Sequence, residues 1–176
     1  LMQRHKTALV TGSTSGIGLA IAGELASKGM NIMLNGFGDA AAIEDLREGL
    51  ARTHGVQVLY DGADMSRVDA IESMMAKALG EFGAVDVLIN NAGIQHVAPV
   101  DEFPLEEWNA ILAINLSAAF HTTRLALPAM KQRGWGRIVF ISSESGICPP
   151  AEMVHYGMTK SAQLSISRGL AETCAG

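Results

Sequence analysis

Tyr156 and Lys160 stand four residues apart, and Ser143 lies thirteen residues before the tyrosine. If residues 153–170 form a helix, a spacing of four places these two side chains on one face, one turn apart. A free phenol ionises near pH ~10 and is a poor base at neutrality. An ammonium beside it favours the phenolate, and moving a phenol by about three units takes ~4 kcal/mol of differential stabilisation. A phenol so placed can give or take a proton while a serine hydroxyl holds the oxygen involved. A bare Tyr-x-x-x-Lys is more often a helix pair of no consequence, so its weight depends on the rest of the chain.

The first addition is Thr11-Gly12-Ser13-Thr14-Ser15-Gly16-Ile17-Gly18, after an apolar run at Ala8–Thr11 and before a helical segment with Leu19, Ile21, Ala22 and Leu25. Gly12 permits a tight turn, Gly16 lets the backbone approach a pyrophosphate, and Gly18 lets helix pack on sheet. The helix N-terminus offers free N–H groups and partial positive charge to an anion. Gly12, Ser15, Gly16, Ile17 and Gly18 are therefore the expected cradle of a dinucleotide. The spacing is Gly-x-x-x-Gly-x-Gly rather than Gly-x-Gly-x-x-Gly, and a glycine turn without a ligand is the alternative.

The adenosine half would meet the end of the second apolar run, Leu34-Asn35-Gly36-Phe37. Ser15, Asn35 and Phe37 supply no positive charge for a 2′-phosphate, which predicts NAD over NADP. Asn90-Asn91-Ala92-Gly93 ends the fourth run, and Asn91, Ala92 and Gly93 let the main chain pass beside a ribose. Asp64 and Met65 flank an adenine, or Asp64 simply precedes a helix cap at Ser66. An oxidised nicotinamide near Tyr156 would add a second positive charge in favour of the phenolate, and the phenol would handle the proton of a hydride transfer.

These residues need a frame. Short apolar runs at Ala8–Thr11, Asn31–Leu34, Val56–Tyr60, Val85–Asn90 and Arg137–Ile141 lack in/out alternation, as strands covered on both faces do. Between them lie helical segments. Val68, Ile71, Met75, Ala78 and Phe82 form one face, and Ser66 with Asp69 reads as a capping box. Ile43, Leu46 and Leu50 form another face, with Gly55 as its stop. Pro104 suits a first helical turn, with Glu106 and Glu107 well placed for the dipole, and Pro128 is expected to kink or end that long helix. Met74, Met75 and Met130 read as core or interface fillers.

Strand and helix alternating five times predict an α/β fold, a Rossmann-like doubly wound parallel sheet in the order 3-2-1-4-5, forming one dinucleotide-binding domain over 1–176. In such a sheet ligands bind beyond the carboxyl ends of the strands, where every motif above falls.

The 176 residues are 48% apolar and 18% charged, with a formal net charge of −5, which excludes a disordered chain and argues against a nucleic-acid partner. No apolar run in the sequence approaches the ~20 residues of a membrane span. Cys148 and Cys174 form no CxxC pair and no metal framework, which favours a reducing, cytoplasmic setting. Leu1 in place of Met, and the halt after a helix-like run from Leu170 to Gly176, predict a piece of a longer protein.

Together these motifs resemble the Tyr-x-x-x-Lys branch of the short-chain dehydrogenase/reductase family over the full length. Asn115 in Ile114-Asn115-Leu116 adds to the match. The resemblance implies that Tyr156 is the general acid/base and that Lys160 binds the nicotinamide ribose and favours the phenolate. It implies that Ser143 positions the substrate carbonyl and that Asn115 holds a water extending the proton relay to Lys160. The substrate implied is a small alcohol or ketone. The resemblance also implies a sixth and seventh strand and a substrate-covering helix pair beyond this sequence, leaving the fifth strand at a sheet edge. Pairing of the long helices across subunits would give a homodimer or homotetramer.

A narrower likeness, over residues 8 to about 120, is to bacterial NAD-dependent D-3-hydroxybutyrate dehydrogenases. It implies a substrate-binding role for Gln95 on a carboxylate. Where that group has a His after the catalytic Ser and a Lys before the catalytic Tyr, this sequence has Ser145 and Met153. His96 and His155 are the histidines at hand, and each reads first as a structural residue. The rival activities are an NADPH-dependent 3-oxoacyl reductase of the same family and a dinucleotide-binding module without catalysis.

Overall fold

The computed structural model describes residues 5–174, and the expectations placed on Leu1–Arg4 and Ala175–Gly176 lie outside them. Five strands, β1 (Thr7–Val10), β2 (Asn31–Asn35), β3 (Val58–Asp61), β4 (Val87–Asn90) and β5 (Arg137–Phe140), pair in parallel in the order β3-β2-β1-β4-β5. Successive side chains on a strand face opposite ways. Ala8, Val10, Ile32, Leu34, Val87 and Ile89 accordingly join one core cluster, and Leu9, Met33 and Leu88 the other. Both faces of the central strands are covered, which is why they read as unbroken apolar runs. The outer strands depart from that pattern: β3 is fully buried only at Val58, and β5 alternates exposed and half-buried residues along a free edge.

The helices are α1 (Gly16–Ser27), α2 (Ala40–His54), α3 (Val68–Phe82), α4 (Leu105–Ile111), α5 (Ala118–Arg133) and α6 (Val154–Cys174), with a π-helical stretch, Leu112–Ser117, joining α4 to α5. Asp39 caps α2 by accepting the Ala42 N–H at 2.9 Å, and Gly55 ends it in the left-handed conformation, φ +66°. Met74 and Met75 of α3 and Met130 of α5 fill the core beside Ile71, Ala78 and Phe82.

One local expectation is corrected, and one of the two alternatives given for another is removed. The Ser66–Asp69 capping box does not form, because Ser66 donates both its N–H (2.8 Å) and its hydroxyl (2.7 Å) to Asp64 Oδ1. These bonds hold the Asp64 carboxyl below its ordinary range, and α3 starts only at Val68. Pro128 does not end α5, which continues to Arg133. The missing N–H costs one intrahelical bond, and Ala126 and Met130 on either side are buried in the core, which holds the helix together across it.

The run from Leu105 to Arg133 is thus one continuous helical rod of 29 residues, long and apolar enough by length and composition to cross a membrane. In this fold one side of it is buried and the other exposed. Asn115, Thr122 and Thr123 are buried along it and hydrogen-bonded to neighbouring elements.

Candidate active site

The motifs gather beyond the carboxyl ends of β1, β4 and β5. β1 lies between β2 and β4, so the chain order reverses beside it, and such a crevice is where doubly wound sheets take ligands.

The glycine loop is built around contacts that exclude side chains. A Cβ on Gly18 would lie 2.3 Å from the Gly12 carbonyl oxygen and 2.5 Å from Asn91 Nδ2. Gly12 has φ +62°, and a Cβ there would meet Ala92 Cα at 3.0 Å. Ser15, Gly16 and Ile17 at the start of α1 are exposed, and the Ser15 side chain makes no cap bond. The first N–H groups of α1 therefore face solvent with the helix dipole behind them, as an anion site requires. A dinucleotide pyrophosphate fits this cradle, which any larger residue at Gly12 or Gly18 would close.

Several residues the sequence placed beside the ligand turn out to hold the loop. Asn91 donates through Nδ2 to the carbonyls of Thr11 (3.0 Å) and Gly12 (2.9 Å), while the Thr11 hydroxyl accepts the N–H groups of Asn91 (3.0 Å) and Ala92 (2.9 Å). Asn35 is buried. Its Oδ1 accepts the Gly12 N–H (3.2 Å), and its Nδ2 donates to the carbonyls of Asp61 (3.1 Å) and Ala63 (3.0 Å). Sequence reasoning saw Asn35 only as a neutral group and gave Thr11 no separate role. Their polar side chains at strand ends were the available signal.

At the adenosine end Phe37 is exposed, and residues 36–46 contain neither Lys nor Arg. Asp64 is engaged by Ser66, and the Met65 side chain is packed in the core, which leaves only its main chain for an adenine.

On the other side of the crevice α6 presents Tyr156, Thr159, Lys160 and Gln163 toward the π-helical stretch and β5. Lys160 Nζ lies 5.6 Å from the centre of the Tyr156 ring and donates to the Ile141 carbonyl at 2.7 Å. Lys160 is only 4% exposed, and that burial pulls its amine below the ordinary lysine value. Gly93 comes close as well: a Cβ there would stand 3.5 Å from Asn115 Oδ1 and 3.6 Å from Lys160 Nζ. Asn115 is fully buried, and its side chain pairs with the Ile94 peptide, accepting the N–H and donating to the carbonyl, both at 2.8 Å. Helical irregularities of the π kind are common at functional sites.

Ser143 Oγ accepts the Ser145 N–H at 3.2 Å, which leaves its own proton available. The Tyr156 hydroxyl has no hydrogen-bond partner among the described residues and is half-buried. Gln95 is exposed and its side chain is unattached. The histidines are structural: His155 is buried with Nε2 donating to the His96 carbonyl at 2.7 Å, and Phe103 lies against both rings.

A parallel sheet with a glycine loop at its switch point and a Tyr–Lys pair on the helix across from it is the fold of a dinucleotide-binding oxidoreductase. The short chain dehydrogenase family profile matches residues 6–176, and the chain belongs to that family. It is 55% identical over 159 residues to the D-beta-hydroxybutyrate dehydrogenase of Cupriavidus necator, matching 90% of this chain and 61% of that protein. The chain therefore spans about three fifths of the length of that relative. A 3-oxoacyl (acyl-carrier-protein) reductase from Agrobacterium tumefaciens with NADP bound superposes with TM-score 0.90 at 32% identity, covering 98% of this chain and 66% of that one. NAD+-bound xylitol dehydrogenase does so with TM-score 0.89 at 31% identity, covering 99% and 67%.

Proposed function

We propose that the protein is an NAD-dependent oxidoreductase, with one dinucleotide-binding domain, that interconverts a secondary alcohol and its ketone. We take 3-hydroxybutyrate and acetoacetate as the first substrate pair. The observation that carries the reading is the Lys160 ammonium, buried 5.6 Å from the Tyr156 ring and one helical turn along α6, across from the open N-terminus of α1. The dinucleotide, when bound, supplies the hydride acceptor or donor. Gly12, Ser15, Gly16, Ile17 and Gly18 hold its pyrophosphate, with Phe37, Asp64 and the Met65 main chain at the adenosine end and Asn91, Ala92 and Gly93 along the ribose.

The chain's own residues handle the proton. Ser143 donates to the substrate oxygen, Tyr156 removes the hydroxyl proton in oxidation and returns it in reduction, and Lys160 favours the phenolate. The Asn115 carbonyl holds a water that passes the proton on from Lys160. The absence of Lys and Arg from residues 36–46 supports NAD as the partner. The 55% identity to a D-beta-hydroxybutyrate dehydrogenase, with Gln95 free at the crevice, supports the substrate pair. Ser145 and Met153 cannot offer a carboxylate the charge-assisted bonds worth ~1.5–3 kcal/mol each, so a high KM is expected.

We also read exposed Leu105, Trp108 and Phe120 on the long rod, with Val154 and Met158 on α6, as the surface on which copies of the protein pair. Exposed free thiols at Cys148 and Cys174 fit a cytoplasmic setting.

Turnover of a panel containing 3-hydroxybutyrate and neutral secondary alcohols tests the reading, with Tyr156→Phe as the critical variant. Tyr156→Phe is expected to abolish turnover while leaving NADH affinity nearly intact. Undiminished turnover would overturn it.

A further inference from the structure

Gln163 lies on α6 one turn beyond Lys160, is 1% exposed, and donates through Nε2 to the main-chain carbonyl of Asn115 at 2.6 Å. Its Oε1 is buried with no hydrogen-bond partner among the described residues. The amide cannot be turned round, because a carbonyl only accepts and Oε1 offers no proton. A buried polar atom without a partner costs about 1–3 kcal/mol. A leucine or methionine would fill the same space without that cost, so packing alone does not account for a glutamine here. What the glutamine adds is a donor aimed at one carbonyl.

That carbonyl belongs to the π-helical stretch Leu112–Ser117. The Asn115 side chain is spent on the Ile94 peptide, with a further contact to the Thr159 hydroxyl at 3.4 Å, so its main-chain oxygen is what it has left to offer the crevice. A carbonyl oxygen has two lone pairs, and a donor fixed on one of them fixes the direction of the other.

We propose that Gln163 is a positioning residue of the proton relay, which holds the Asn115 carbonyl in the π-helical geometry so that its second lone pair stays turned toward Lys160. This rests on the relay assigned above to Asn115, Lys160 and Tyr156. Without the amide, the stretch is free to relax toward ordinary helical bonding, in which the carbonyl is drawn into the helix. Lys160 then keeps only its bond to the Ile141 carbonyl, loses the water-mediated link to Asn115 proposed above, and favours the Tyr156 phenolate less strongly. The charged group facing Tyr156 is Lys160. His155 is turned to the His96 carbonyl, and Glu144, in the turn that follows β5, is exposed.

The test reads phenolate ultraviolet absorbance during alkaline titration of the full chain. The protein has two tyrosines, and Tyr60 ionises above the ordinary phenol value because it is buried and lies beside Asp61. Tyr156→Phe identifies the signal of Tyr156. Gln163→Met and Gln163→Leu, two apolar shapes that guard against a folding failure, are expected to move the Tyr156 signal to higher pH by roughly half a unit to one unit. Gln163→His, which keeps an N–H donor, is expected to restore it. In the active enzyme the apolar variants should lower kcat about tenfold at neutral pH, with recovery at alkaline pH and unchanged NADH affinity. A phenolate signal that stays in place while only the melting temperature falls would overturn the proposal. The titration needs no turnover, so failure of the oxidoreductase reading would show separately, as activity surviving Tyr156→Phe.

Discussion

Thr11 accepts twice from Asn91: its carbonyl takes the Asn91 side-chain amide at 3.0 Å and its hydroxyl takes the Asn91 main-chain N–H at 3.0 Å. The shape of the glycine loop is thereby tied to the end of β4. Asn91→Asp keeps the size of the side chain but turns two donors into acceptors aimed at two carbonyls. It is expected to destabilise the fold by about 2–3 kcal/mol and to weaken NADH binding at least tenfold. Thermal melting and NADH fluorescence titration measure the two effects. Asn91→Ala should do less, since it removes the bonds without adding repulsion.

Glycines in this chain are not equivalent. Gly18→Ala would put a methyl carbon 2.3 Å from a backbone oxygen, so the loop has to move; loss of NADH binding and a sharply lowered melting temperature are expected. Gly49, inside α2, has nothing within 4 Å of the site of a Cβ. Gly49→Ala should therefore raise stability by ~0.5–1 kcal/mol through helix propensity and leave NADH affinity alone. Equal effects in the two variants would contradict the close approach of α1 to the loop.

Phe37 stands exposed after β2, where the proposed dinucleotide would turn its 2′ position, and no cation follows it before Arg47, which is committed to Glu44 and to the Val58 carbonyl. Phe37→Arg should strengthen NADPH binding about tenfold relative to NADH. Parallel Kd measurements for both nucleotides decide the matter, and tighter NADPH binding by the unaltered protein would reverse the assignment of NAD.

Burial at Lys160 sets a pH dependence of stability. Its charged form is disfavoured in the fold, so its folded value lies below the ordinary 10.5. Between that lowered value and 10.5 the unfolded chain holds more protons, and stability rises with pH; below the window the cost of burying the ammonium is present in full. Lys160→Met is expected to melt ~2–4 °C higher than the parent at neutral pH, the gap closing as the pH approaches 10.5. Tyr60 acts in the opposite sense above its ordinary 10.0, since the folded state retains its proton longer and stability falls as pH rises. A constant gap across the alkaline range would show that the Lys160 amine is not destabilised by its surroundings.

The alternation of strands and helices was legible because the central strands are covered on both faces, and Gly55 was legible as a stop because its positive φ suits glycine. Pro128 left kinking and ending as alternatives, and the helix does not end there because burial at Ala126 and Met130 outweighs one lost bond. The Ser66 cap misled because Asp64, two residues upstream, competes for both of its donors. Tyr156, Lys160 and Ser143 stood out by spacing. Asn35, Thr11 and Gln163 did not, because their partners lie 20 or more residues away and become neighbours only through the strand order β2-β1-β4 or the packing of α6 on the π-helical stretch.

Adjacent side chains at the end of β4 reach in different directions. Asn90 accepts the Thr122 hydroxyl of α5 at 2.6 Å, and Asn91 grips the turn after β1. A single peptide unit thus acts as a pivot between the long rod and the phosphate cradle. A shift of α5 along its axis would therefore bear on the end of β4 and, through Asn91, on the glycine loop after β1.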